Sequence, residues 1–152
     1  MRLARRRRRV GGRESQRAVA DPAAVADTHA LIFHASGNGR LGPRAKAHFD
    51  AAERREALIY VPAAVMWEVS LLARSGRIVL HRSVRQFFAD LYSNPAYQPL
   101  DLNADQVFDA DELRFTRDPF DGLIVASARH LRLPLVTRDA MIRESGAVAV
   151  LW

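Results

Sequence analysis

Apolar and polar positions alternate in two registers along this chain. Short apolar runs of strand length stand at Ala23–Ala26, Ala57–Val61 and Leu133–Val136. Tyr97–Leu102 and Ala147–Leu151 read as two more strands. Between them lie stretches with helical spacing. A short helix is expected over Ala30–Ala35, broken by Gly37-Asn38-Gly39. Pro43–Arg55 has its proline near the first turn, where the missing N–H costs nothing. Ala63–Arg74 is opened by Pro62 and stopped by Gly76. Further helices are expected over Ser83–Tyr92, Ala104–Leu113, Pro119–Leu131 and Ala140–Ser145. Buried strands alternating with helices mean βα units. The expected class is α/β, a three-layer α/β/α sandwich with a mainly parallel central sheet. In such folds ligands bind beyond the carboxyl ends of the strands.

A length of 152 residues suits one domain with a real core. There is no cysteine, which excludes disulfides and thiolate zinc sites. The five histidines show no ligand spacing and read as surface or capping residues. No apolar run approaches the ~20 residues of a membrane span. The net charge of +6 is unevenly placed. Residues 1–17 carry eight arginines and one acid, a net of +7. The rest carries 15 basic and 16 acidic residues, a net of −1. Residues 1–20 are therefore expected to be a basic, disordered tail, and residues 21–152 the folded domain. The globular pattern starts only near Val25, so the tail also reads as an over-long reading frame, and no function is drawn from it.

The candidate chemistry is carboxylate. Asp27 ends the first strand. Glu68 lies on the apolar stripe of Val65, Val69 and Leu72, where a carboxylate is costly unless paired, protonated or metal-bound. Asp118 can cap the helix that begins with Pro119. Asp121 heads the stripe of Ile124, Val125 and Ala128 and can point toward the sheet end. Thr137 and Asp139 follow a buried strand. Asp27, Asp118, Asp121 and Asp139 could each be ordinary helix-cap residues. Several acids at one edge of one sheet are less ordinary, because like charges repel in a partly dry site. A cation would neutralise them, and all-oxygen donors favour Mg²⁺ or Mn²⁺ over zinc. No glycine-rich phosphate loop follows the first strand, which argues against a dinucleotide binder.

The ordered set Ala26-Asp27-Thr28-His29-Ala30-Leu31, Val61–Val69, Arg117-Asp118-Pro119-Phe120-Asp121 with Leu123–Ala126, Leu135–Asp139 and Val150–Trp152 resembles the PIN-domain family, specifically VapC-type toxins of toxin–antitoxin pairs. The resemblance spans about residues 24–152. By position, it implies an acidic catalytic and metal-binding quartet of Asp27, Glu68, Asp121 and Asp139. Thr137 and Asp118 would support it. Arg138, Arg117 and Arg114 are candidate RNA-backbone contacts. Many relatives have His where this chain has Thr116, and Arg where it has Gly122.

The resemblance implies a Mg²⁺- or Mn²⁺-dependent endoribonuclease held in check by a cognate antitoxin. A cytoplasmic homodimer acting on RNA, with no membrane role, is the corresponding expectation. An antitoxin helix could use a groove over Val65–Arg85 near Trp67, Phe87 and Phe88, although at least two of these aromatics are expected in the core. Two alternatives stay open: a catalytically weak PIN-like binding module, and a DNA-directed nuclease.

Overall fold

The computed structural model describes residues 22–152, so the arginine-rich segment 1–20 lies outside the described residues. The chain runs β1 (Ala23–Ala26), α1 (Thr28–Ser36), α2 (Pro43–Glu53), β2 (Leu58–Pro62), α3 (Ala63–Arg74) and α4 (Val84–Tyr92). It continues through β3 (Tyr97–Leu100), α5 (Ala104–Glu112), α6 (Pro119–Leu131), β4 (Leu135–Val136), α7 (Ala140–Ser145) and β5 (Val150–Leu151). The strands form one sheet in the order β3-β2-β1-β4-β5, and every pairing is parallel. Helices flank it in the three-layer arrangement the alternation predicts.

The strand order locates the ligand edge. The chain moves outward from β1 through β2 to β3, then returns to place β4 on the other side of β1. The connections therefore diverge between β1 and β4, which opens a crevice beyond their carboxyl ends. Val25 pairs with Tyr60 on one side and Leu135 on the other, so β1 is central and its residues Ala24, Val25 and Ala26 are fully buried.

Element boundaries differ from expectation where caps decide them. α1 starts at Thr28 rather than Ala30, because Asp27 is its N-cap and accepts from the Thr28 amide. β4 begins at Leu135 rather than Leu133. The Leu133 amide donates back to the Ala128 carbonyl, and Arg132 adopts a left-handed cap at φ 55°. Leu133 thus completes the C-terminal turn of α6. β5 is shorter than Ala147–Leu151, and β3 stops at Leu100.

The core joins the sheet to α1, α2, α3, α6 and α7 through Leu31, Phe49, Ile59, Val65, Val69, Ile124, Val125, Leu135 and Ile142. All nine are fully buried. Phe87 and Phe88 are also core, whereas Trp67 is 50% exposed, so only Trp67 of those three stands on the surface. At the far edge the Tyr97 hydroxyl donates to Glu53 at 2.6 Å and lies 3.0 Å from His34, tying β3 to α1 and α2. Among the described residues no helix is long and apolar enough to cross a membrane.

Candidate functional site

The crevice between β1 and β4 holds a pocket of about 300 Å³ lined by Asp27, His29, Glu68, Asp118, Asp121, Arg138 and Asp139. Each acid arrives there for a local reason. Asp27 is the residue after β1, and its Oδ1 accepts from the Thr28 amide at 2.7 Å. Its Oδ2 accepts from the Thr137 hydroxyl at 2.6 Å, a bond joining the ends of β1 and β4 across 110 residues of sequence. Thr137 in turn accepts from the Asp139 amide at 3.1 Å, and Asp139 caps α7 by accepting from the Ile142 amide at 3.0 Å. Asp118 caps α6, accepting from Phe120 and Asp121 amides at 2.8 and 3.4 Å. Capping and pocket-lining are therefore compatible roles, not alternatives. One carboxylate oxygen turns to the helix amides and the group as a whole still borders the pocket.

Glu68 and Asp121 enter from helices. Glu68 is half-buried on the α3 stripe whose neighbours Val65 and Val69 are fully buried. Asp121 sits in the first turn of α6 above Ile124, Val125 and Ala128, all fully buried. The Thr116 hydroxyl holds the preceding turn by accepting from the Asp118 amide at 3.0 Å, and lies 3.5 Å from Asp121 Oδ2.

Electrostatics show the groups act on one another. Burial, then the charges of Asp118, Asp27, Asp139 and Glu68, push the Asp121 carboxyl up to about 7. Burial also raises Asp27, against the opposing pull of the Thr137 hydroxyl, the Thr28 amide and the His29 ring. Glu68 is raised by burial first and by Asp27 and Asp118 after it. The Thr28 hydroxyl faces Glu68 and eases its charge, yet this fully buried oxygen makes no full hydrogen bond to any protein group.

This chemistry fits a hard divalent cation. The acidic donors are all oxygens, the acids destabilise one another when ionised, and the orphaned buried Thr28 hydroxyl lies behind the lining residue Glu68. Among the described residues, however, no three His, Cys, Asp or Glu side chains come close enough to hold a metal ion together as they stand. The expected quartet is gathered round one pocket but does not form a closed cage. The carboxylates of Asp27 and Asp139 are instead engaged by Thr28 and Thr137 and by Ile142, respectively. What the pocket offers a hard divalent cation is the all-oxygen character of its acids, not a closed coordination shell.

Of the three expected arginines, only Arg138 lines the pocket; Arg114 and Arg117 are exposed outside its lining. Gly122 does not face the pocket either. A Cβ there would meet the Ala110 carbonyl and Cβ of α5 at 3.6 and 3.7 Å, so this departure from the relatives concerns helix packing. His29, exposed and two residues beyond Asp27, is a pocket residue the sequence reading did not single out. Its only signal is that it follows the capping Asp27 by two positions.

The profile of the PIN domain family matches residues 24–147. No curated protein matches the chain. Among solved structures, the chain is similar to VapBC2 from Rickettsia felis bound to a promoter DNA fragment. The TM-score is 0.63 at 14% identity, over 84% of this chain and 96% of that one. It is also similar to FitAcB from Neisseria gonorrhoeae (TM-score 0.57, 18% identity, 84% of this chain and 95% of that one). A toxin–antitoxin complex from Klebsiella pneumoniae matches at TM-score 0.52 and 23% identity, over 76% of this chain and 86% of that one.

Proposed function

The chain belongs to the PIN domain family, and on that premise we propose that it is a Mg²⁺- or Mn²⁺-dependent endoribonuclease of the VapC toxin type. The observation that carries this reading is the set of five carboxylates, Asp27, Glu68, Asp118, Asp121 and Asp139, around one pocket at the β1/β4 crevice. Residues 21–152 constitute its single domain. A bound divalent ion would supply charge neutralisation and activation of water for phosphodiester hydrolysis.

The chain's own residues divide the remaining work. Asp27, Asp121 and Asp139 hold the ion, directly or through water. Glu68, half-buried beside the orphaned Thr28 hydroxyl, holds an ion or orients water. Thr137 fixes the Asp27 carboxylate and the Asp139 amide at once, so it keeps two ligands in register. Asp118 fixes the first turn of α6 and with it Asp121. The partners follow from the family reading: a cognate antitoxin, an RNA substrate and a second copy of the chain, in the cytoplasm.

Incubation of single-stranded RNA with the purified protein tests this. Cleavage with Mg²⁺ or Mn²⁺, lost in EDTA and in Asp121→Asn, is expected. Parallel DNA substrates separate RNA-directed from DNA-directed cleavage. A second reading, a PIN-like module acting through binding alone, is favoured by the open spacing of the carboxylates. Undiminished RNA after long incubation with either ion would select it.

A further inference from the structure

Arg138 is anomalous in its setting. It is a permanent cation lining a pocket with five carboxylates. Yet among the described residues it forms no ion pair with any of them. Instead its guanidinium lies over the Phe33 ring, with Cζ 4.7 Å from the centroid. Arg40 lies over the same ring at 5.7 Å, and it too has no carboxylate at ion-pair distance among the described residues. Phe33 is itself held firmly. It is only 5% exposed, with the Trp152 ring edge-on at 6.4 Å and the His29 ring at 6.1 Å. At an exposed position an ion pair and a cation–π contact are of similar small worth, so the Phe33 ring competes on equal terms with the acids for this guanidinium. Seated on the ring, the Arg138 guanidinium makes no ion pair among the described residues and keeps its donors available to an incoming anion.

The surroundings say what that is. A second pocket, of about 560 Å³, shares His29, Glu68 and Asp118 with the acidic one and runs on past Phe33 and Arg40 to Arg77. A track that starts at carboxylates and continues over arginines fits a strand of phosphates, with one phosphate at the ion and its neighbours on the cations. The planar fork of an arginine pairs bidentately with a phosphate.

We infer that Phe33 is a positioning residue which holds Arg138, with Arg40 beside it, at the lip of the acidic pocket, where they grip the backbone phosphates flanking the bond to be cut. This rests on the nuclease reading and deepens it. The ring does two things at once: it presents the fork to the strand, and it keeps that fork from occupying the place of the divalent ion.

Two titrations test it. Mg²⁺ binding is measured by calorimetry on the full chain. Arg138→Ala is expected to tighten Mg²⁺ about 3- to 10-fold, because a cation leaves the neighbourhood. Phe33→Leu keeps the apolar bulk but removes the ring face. It is expected to weaken Mg²⁺ by a similar factor, because the released guanidinium falls onto the acids. The double variant Phe33→Leu/Arg138→Ala is expected to behave like Arg138→Ala. Arg138→Lys, at an exposed position that leaves folding untouched, is expected to weaken Mg²⁺ like Phe33→Leu. Shifts of the same sign in Arg138→Ala and Arg138→Lys overturn the inference. Binding of a 2′-O-methyl RNA oligonucleotide in EDTA provides the second readout. Arg138→Ala and Phe33→Leu are each expected to weaken it several-fold and lower the salt slope by about one. An unchanged slope in Arg138→Ala overturns the phosphate grip. Absence of Mg²⁺ binding by the unaltered protein would remove the metal-dependent nuclease reading, while the oligonucleotide titration still decides the grip.

Discussion

At the residue scale, Asp121 carries the clearest consequence. Its carboxyl is raised from 3.8 to about 7, chiefly by burial and then by Asp118. Between those values the folded protein retains a proton that the unfolded chain has released. Without a divalent ion, this group's contribution to stability is full below about pH 4 and is lost as pH rises to about 7. Asp121→Asn removes the penalty. At pH 8 it is expected to raise unfolding free energy by about 1–2 kcal/mol after solvent screening of a half-exposed group. Urea unfolding at pH 5 and pH 8 checks this, and an unchanged pH dependence would refute it. The same substitution is expected to lower RNA cleavage by roughly 10²-fold or more, the scale of losing one charged group from a reacting centre. Stability and activity are thus expected to move in opposite directions, the signature of a group placed for chemistry rather than for folding. Thr137 behaves in the contrary way. Thr137→Val leaves the buried Asp27 Oδ2 without its 2.6 Å donor and is expected to cost about 1.5–3 kcal/mol. Thr137→Ser retains the hydroxyl and should stay near the parent in a urea midpoint comparison.

At the element scale, the helices are fixed by their ends. Four of the residues with chemical promise, Asp27, Asp118, Asp139 and the supporting Thr137, are also what starts α1, α6 and α7 or ties those starts to the sheet. This is why boundaries read from apolar runs alone slip by two residues at α1 and β4. The apolar pattern announces the body of an element, while hydrogen bonds at the cap decide where it begins. Glycines separate two kinds of close approach. A Cβ at Gly122 would meet α5 at ordinary contact distance, and glycine inside a helix costs about 1 kcal/mol against alanine. Gly122→Ala is therefore expected to raise stability by about 0.5–1 kcal/mol, seen as a higher melting temperature. A Cβ at Gly42 would come within 2.5 Å of the Trp152 ring, so Gly42→Ala is expected to cost about 1–3 kcal/mol through overpacking. If both substitutions move the melting temperature the same way, the packing at one of these contacts is not as described.

At the scale of the whole molecule, the proposed ion site in the acidic pocket would couple folding to ion binding. A ligand that binds only the folded state stabilises it by mass action. On the proposed nuclease reading protons and the ion compete for Asp121, so Mg²⁺ is expected to raise the melting temperature more at pH 8 than at pH 5. Thermal melts with and without EDTA measure the difference, and an equal shift at both pH values would count against Asp121 as a ligand.

The class of the fold was legible because buried parallel strands leave continuous apolar runs and helices leave stripes, and both patterns are local in sequence. The acids were legible for the same reason, as carboxylates at strand ends or on an apolar stripe. The gathering of those acids was not local. Asp27 meets Thr137 across 110 positions only because the order β3-β2-β1-β4-β5 sets β1 beside β4. No composition or spacing specifies that neighbour. Nor could a one-dimensional pattern tell that Arg138 rests on Phe33 while Arg114 and Arg117 stay outside the pocket, or that Gly122 faces α5. Periodicity encodes which side of an element is buried. Which side chains then share a cavity is decided by long-range packing, and that belongs to the tertiary structure alone.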